Sequence, residues 1–249
     1  MALLAAHHGP ATDAAVGRSV RLVNVGGPLT APLLDRVGAG MDHAVAAVER
    51  FWGTDWPSEV VVVATGSPAQ FAAEAHLDPA IRWEDIATVT VADRVNLPAR
   101  QAFGTRIVLA PGAGTMSEPA LQLVLTHELF HLAARADTAL TAPQWLTEGV
   151  ADFVARPAVP LPPDAAADLS LPDDAQLAEF GPARSAAYDR AWWFARFVAE
   201  EFGMDELRRL YRDACGSGHP DFPTAVRRAL GIDTTELRTR WARWLSAPR

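Results

Sequence analysis

The chain of 249 residues is expected to fold as an α+β protein. A small mixed β-sheet should form the N-terminal part and a mainly α-helical part should follow. Three observations lead there. Every strand-like run lies before residue 117. After it, apolar residues recur at helical spacing between recognisable caps. Hydrophobic content of 49% and charged content of 21% are ordinary for a globular chain long enough to bury a full core.

The elements follow in order. Residues 1–17 read as a flexible tail. Arg18–Val25 (RSVRLVNV) alternates polar and apolar residues up to Gly26-Gly27-Pro28, as a strand does. Residues 30–52 carry Leu33, Leu34, Val37, Met41, Val45 and Val48 at helical spacing, and Gly53 stops the helix. Val60–Ala64 is a β-branched run suited to a buried strand, and a short helix should occupy 68–76. Ile86–Ala92 and Thr105–Ala110 read as two more strands, which makes about four before the motif helix. The second of these, as a sheet edge, would offer free backbone groups to an extended peptide.

Ser117-Glu118-Pro119 places a capping serine and a first-turn proline ahead of a helix reaching about Ala136. Apolar residues surround that helix nearly completely, which marks it as buried. Thr141-Ala142-Pro143-Gln144 reads as a capping box opening a second helix, which Pro157 closes. Residues 158–181 are a Pro- and Asp-rich loop. Helices are expected over 183–202, 204–214, 223–230 and 234–245. The division is thus a sheet-rich lobe at 18–116 and a helical lobe at 117–249, with a cleft between.

The buried helix carries His127-Glu128-Leu129-Phe130-His131, an H-E-x-x-H pattern. Residues four apart share a helix face, so His127 and His131 can ligate one Zn²⁺. Glu128 does not point to that spot, but it can reach a water bound there and act as general base. Glu148, on the second helix, supplies a third ligand if the two helices pack antiparallel. Two histidines and a glutamate leave a fourth position open, as catalytic zinc sites do. Asp152 shares the face of Glu148, and it suits a carboxylate that accepts the second N–H of a ligand histidine; the other reading is a solvated acid near a helix end.

Together, H127-E-L-F-H131 and W145-L-T-E-G-V-A-D-F153 resemble the gluzincin metallopeptidases, and more narrowly the peptidase MA-like family. The helix opening on Tyr188 and the stretches A225-V-R-R-A-L-G231 and W241-A-R-W-L245 extend the likeness over roughly Val60–Leu245. The resemblance implies a zincin-like fold, one Zn²⁺ on His127, His131 and Glu148, Glu128 as base and proton shuttle, and hydrolysis of peptide bonds in a peptide or protein substrate. It also implies a Tyr or His donor to the oxyanion. Tyr188 is either that donor or a helix-packing residue.

Two other classes of function compete: a zinc-binding, non-hydrolytic module that engages a partner on a peptidase scaffold, and a helical protein whose two histidines are core residues. A net charge of −8 argues against nucleic acid or an anionic membrane as partner, and no apolar run is long enough to span a bilayer. Cys215 is the only cysteine, so neither an internal disulfide nor a cysteine metal cluster forms. Met1–Ala6 is too short for a signal sequence, so the chain as it stands is expected in the cytoplasm, or outside it if an export segment has been removed.

Overall fold

The computed structural model describes residues 17–78, 86–179 and 181–247. The tail, apart from residue 17, lies outside the described residues. The architecture is α+β, a small N-terminal mixed sheet followed by a helical C-terminal part. Strands β1 (Ser19–Asn24) and β2 (Glu59–Ala64) are joined by helix α1 (Ala31–Trp52) and pair in parallel. Helix α2 (Pro68–Glu74) follows, opened by Ser67, whose side chain accepts from Gln70 N. Strands β3 (Thr88–Val91), β4 (Arg94–Asn96), β5 (Gln101–Phe103) and β6 (Arg106–Leu109) complete the β-structure. The four-stranded sheet runs β1-β2-β6-β3, with β3 antiparallel to β6 and the other pairs parallel.

Two expectations change here. The 105–110 strand is not an edge: β6 sits between β2 and β3, and Ile107, Val108 and Leu109 are fully buried. An interior strand needs apolar residues on both faces, which TRIVLA provides. Among the described residues, the outer edge beside it belongs to β3. The connection between β3 and β6 is also more ordered than a loop. β4 and β5 pair antiparallel in the register that β3 and β6 begin. Thr88 faces Leu109 and Val91 faces Arg106; Arg94 then faces Phe103 and Asn96 faces Gln101. Residues 88–109 therefore form one long ribbon, its ladder interrupted only around Asp93 and Gly104. Short runs broken by Asp, Gly and Pro hide such a hairpin from hydrophobic patterning.

Helix α3 (Glu118–Ala134) is opened by Ser117, whose side chain accepts from Ala120 N. It ends earlier than expected, in a 3₁₀ turn over Arg135–Asp137. Leu125, Leu129, Phe130 and Leu132 are at most 1% exposed. Burying each such side chain stabilises the fold by about 2 kcal/mol. Helix α4 (Gln144–Ala155) packs on α3 and on α6 (Pro182–Glu201); between them stands the short α5 (Asp174–Leu177). Helices α7 (Met204–Cys215), α8 (Phe222–Leu230) and α9 (Thr234–Ser246) close the helical part. One apolar cluster runs from Leu33 on α1 through α3 to Leu245 on α9. A second, smaller one lies between α2 and the other face of the sheet.

The capping box expected at Thr141–Gln144 does not form. Thr141 turns instead to His219, and Pro143, which has no side-chain acceptor, precedes the helix. Asp174 takes over from α5 and accepts from Trp145 N at 2.7 Å. Residues 159–170 are held down by α6 and α9. Arg190 donates to Asp168 O and Ser170 O, Arg196 to Val159 O, and Trp241 Nε1 to Ser170 O. No helix among the described residues is long and apolar enough to cross a membrane.

Candidate metal centre

α3 presents His127 and His131 one turn apart, and α4 brings Glu148 against them. The two Nε2 atoms are 3.1 Å apart. His127 Nε2 is 3.2 Å from Glu148 Oε2, and His131 Nε2 is 3.5 Å from Glu148 Oε1. One donor atom from each residue falls within a 4.8 Å group, so the three side chains could hold a metal ion. Bonds of about 2.0–2.1 Å in a tetrahedron put neighbouring donors about 3.3–3.4 Å apart. The two histidine nitrogens lie near that spacing, and each faces a different Glu148 oxygen, so a small turn of the carboxylate would bring one oxygen to both. Glu128 is outside the group.

Close approach of α4 and α6 makes this convergence possible. A Cβ on Gly149 would lie 2.4 Å from the carbonyl oxygen of Ala191. The glycine after Glu148 is thus required by the backbone of α6 rather than by the metal site itself.

Asp152 Oδ1 lies 2.9 Å from His127 Nδ1, which leaves Nε2 facing the other donors. Asp152 is 2% exposed and is itself held. Its Oδ2 forms an ion pair with Arg156 Nη2 at 2.9 Å, although the angle falls short of a hydrogen bond. Arg156 also reaches Asp189 on α6 at 2.6 Å. Four side chains therefore run in sequence from α6 to the ligand imidazole, and the last links, Arg156 and Asp189, carry no sequence signal beyond an i,i+4 spacing from Asp152.

Glu128 is held from the ribbon. Thr88 Oγ1 donates to Oε1 at 3.0 Å and Thr90 Oγ1 lies 2.7 Å from Oε2 and 2.8 Å from the Glu128 carbonyl. The carboxylate is buried between strand and helix. These threonines were not singled out by sequence reasoning. Their signal was present in the alternation of Thr88-Val89-Thr90-Val91: Val89 and Val91 pack on the α2 side, so the hydroxyls share the face turned to α3.

Electrostatics favour a cation at the three donors. Burial opposes charge on His127, but hydrogen bonds to Asp152 and Glu148 and the charge of Glu128 outweigh it and raise the imidazolium to about 10. Burial likewise opposes charge on Glu148, yet the His131 charge and hydrogen bonds from both histidines hold its carboxyl well below the usual range. Positive charge is thus wanted here, and a proton supplies it when no ion does. Tyr188, on α6, is half-buried. Burial and then the charge of Glu148 push its phenol up to about 12, against a hydrogen bond and charge from Arg184. It keeps its proton at neutral pH.

No protein-family model matches the chain, and no curated protein does either.

Proposed function

We propose that this protein is a zinc-dependent metallopeptidase of the gluzincin type, with a zincin-like fold. The observation that carries the reading is the separation of roles at one spot. Three N/O donors converge at metal spacing, while the acid next to the first histidine stands outside them on its own hydroxyl supports. Imidazole and carboxylate donors suit zinc, and the bound ion would polarise a scissile carbonyl and acidify water.

The chain's own groups do the rest. Asp152 holds His127 in the tautomer that frees Nε2, and Arg156 keeps Asp152 in place. The Glu128 carboxylate takes a proton from the attacking water as its oxygen bonds to the carbonyl carbon. It delivers that proton to the amide nitrogen as the C–N bond breaks. Tyr188 donates its phenolic hydrogen to the oxygen on which charge develops. The free edge of β3 aligns an extended peptide by backbone pairing, the role first expected of the 105–110 strand.

One observation favours a non-hydrolytic metal-binding module. Both oxygens of Glu128 already interact with threonine hydroxyls. A carboxylate has about four lone-pair sites, so capacity for a water remains, and hydrolysis is the better reading.

The test is metal content by elemental mass spectrometry together with cleavage of a peptide library. One zinc per chain, lost in His131→Ala, and turnover lost in Glu128→Gln with zinc retained are the expected results. A Glu128→Gln protein that cleaves like wild type removes the mechanism. Wild type that takes up no zinc removes the site.

A further inference from the structure

The ribbon carries a second feature on the face that holds Glu128. Alternate residues of a strand share a face, and cross-strand partners share it too. Thr88 and Thr90 face α3; two and three steps of the alternation further on, the same face presents Arg94 and Asn96, with Phe103 and Gln101 opposite them. These four residues line a cavity of about 600 Å³ together with the apolar Val95, Leu97 and Pro98 and with Ser217 from the turn after α7. The Arg94 guanidinium lies over the Phe103 ring, 4.4 Å from its centroid. Phe103 is one of the large apolar side chains left exposed. Arg94 has no carboxylate partner among the described residues, although Arg100 and Arg106 on the same ribbon each have two or more polar partners, acids among them. In a chain of net charge −8, an unneutralised guanidinium braced on an aromatic ring and flanked by two amides is a built place for a carboxylate.

Distance connects this cavity to the candidate centre. Arg94 stands four residues beyond Thr90, about 13 Å along an extended chain. A peptide extended along the ribbon covers it in about four residues. We propose that the Arg94–Phe103 cavity receives an acidic side chain of a peptide bound along the ribbon, about four residues from the bond presented to Glu128. The peptide class this protein would favour is therefore one with Asp or Glu at that remove. The inference rests on the metallopeptidase reading for its position along the peptide, and on the cavity alone for its charge preference. Nucleic acid offers the opposite case: the phosphate backbone needs many cations, and the acidic surface repels it.

Two measurements test it. A degenerate peptide mixture is digested by the zinc-loaded protein and the product ends are sequenced by mass spectrometry. Asp and Glu should be enriched at a position three to five residues from the cleaved bond, and Arg94→Glu should replace that enrichment with Lys and Arg. An unbiased wild-type profile, or the same profile in the variant, overturns the proposal. In parallel, a fluorescein-labelled Glu-rich hexapeptide is titrated into Glu128→Gln protein and read by anisotropy. Adding Arg94→Glu should weaken binding at least about tenfold; equal binding overturns the proposal. Wild type that cleaves nothing while the hexapeptide binds through Arg94 ends the peptidase reading and leaves the acid-binding cavity standing. No cleavage and no Arg94-dependent binding removes both.

Discussion

The helix pair α3–α4 and the ribbon of residues 88–109 meet at Glu128, and they are built in opposite ways. The helix pair is packed on all sides, and its polar groups are joined in sequence from Asp189 through Arg156 and Asp152 to His127. The ribbon beyond β3 is short of apolar cover. Its tip is tied by exposed ion pairs, Arg100 to Asp137 at 2.6 Å and to Asp55 at 3.0 Å. Surface ion pairs stabilise by about 0–1 kcal/mol each, whereas a buried leucine contributes about 2 kcal/mol. Displacing the ribbon thus costs less than displacing the helices. His127, His131 and Glu148 belong to the part that resists movement, and Arg94 and Phe103 belong to the part that yields. Glu128 is fixed to both, so its position reports on the ribbon as well as on α3.

One pair of glycines gives the widest separation between these halves. A side chain at Gly149 meets the backbone of Ala191 at 2.4 Å, and a helix backbone can give way only by moving α4 from α6. Gly149→Ala should destabilise the ion-free protein by more than about 3 kcal/mol, beyond the usual cost of overpacking. It should also weaken zinc binding, because Glu148 moves with α4. Gly104, in the ribbon, has φ of 63° and faces the exposed Asp93 side chain, which must give up its ion pair with Arg106 to make room. Gly104→Ala should cost the left-handed backbone, about 1–2 kcal/mol, and an exposed ion pair worth about 0–1 kcal/mol, and leave zinc affinity unchanged. Chemical denaturation with a zinc titration checks both. Equal losses in the two variants would break the comparison.

Titration sharpens it next. His127 is raised to about 10 in the ion-free fold, against about 6.5 unfolded. A raised value stabilises fully below the unfolded pKa and loses that contribution as pH rises through the folded one. The ion-free protein should therefore lose stability between about pH 6.5 and 10. Zinc takes the place of the same proton, so its affinity should climb over that interval, by up to about tenfold per pH unit. Glu148, held below the usual range, stays charged throughout and adds nothing to the slope. Competition with a chromophoric chelator at several pH values measures it. A flat profile would mean that His127 is not a ligand.

The same contrast explains what could be read from the sequence. His127, His131, Glu148 and Asp152 are related by spacing on two helices, and helical spacing fixes direction in space. Their convergence was accordingly legible once the helices were. The contacts of Glu128 depend on which strand lies beside α3, and strand order is set by long-range pairing that local patterning does not carry. TRIVLA was considered as a sheet edge; it is interior because β3 folds back along it. The hairpin tip was missed for a related reason. Val95 is the one β-branched residue in β4 and β5, so each three-residue run is too short to show a pattern, and only its register with β3 and β6 makes it strand. The cap of α4 was misread because a local capping box was assumed where a residue 29 positions on does the work.

That remote cap is the smallest effect expected, and it bears on the helix half alone. Asp174 Oδ1 accepts from Trp145 N at the start of α4, where Pro143 offers no side-chain oxygen. Asp174→Ala should lower stability by about 1 kcal/mol, the usual cost of losing a cap. The carboxylate also lies at the positive end of the helix dipole, so part of that loss should be screened by salt. Glu148 sits on the following turn, still tied to His127 and His131, so zinc affinity should fall no more than about threefold, much less than in Gly149→Ala. Asp174→Asn, which keeps the acceptor and removes the charge, should restore most of the stability. If Asp174→Ala instead abolished zinc binding, α4 would owe its place to the 158–181 segment rather than to its packing on α3 and α6, and the helix half would be as yielding as the ribbon.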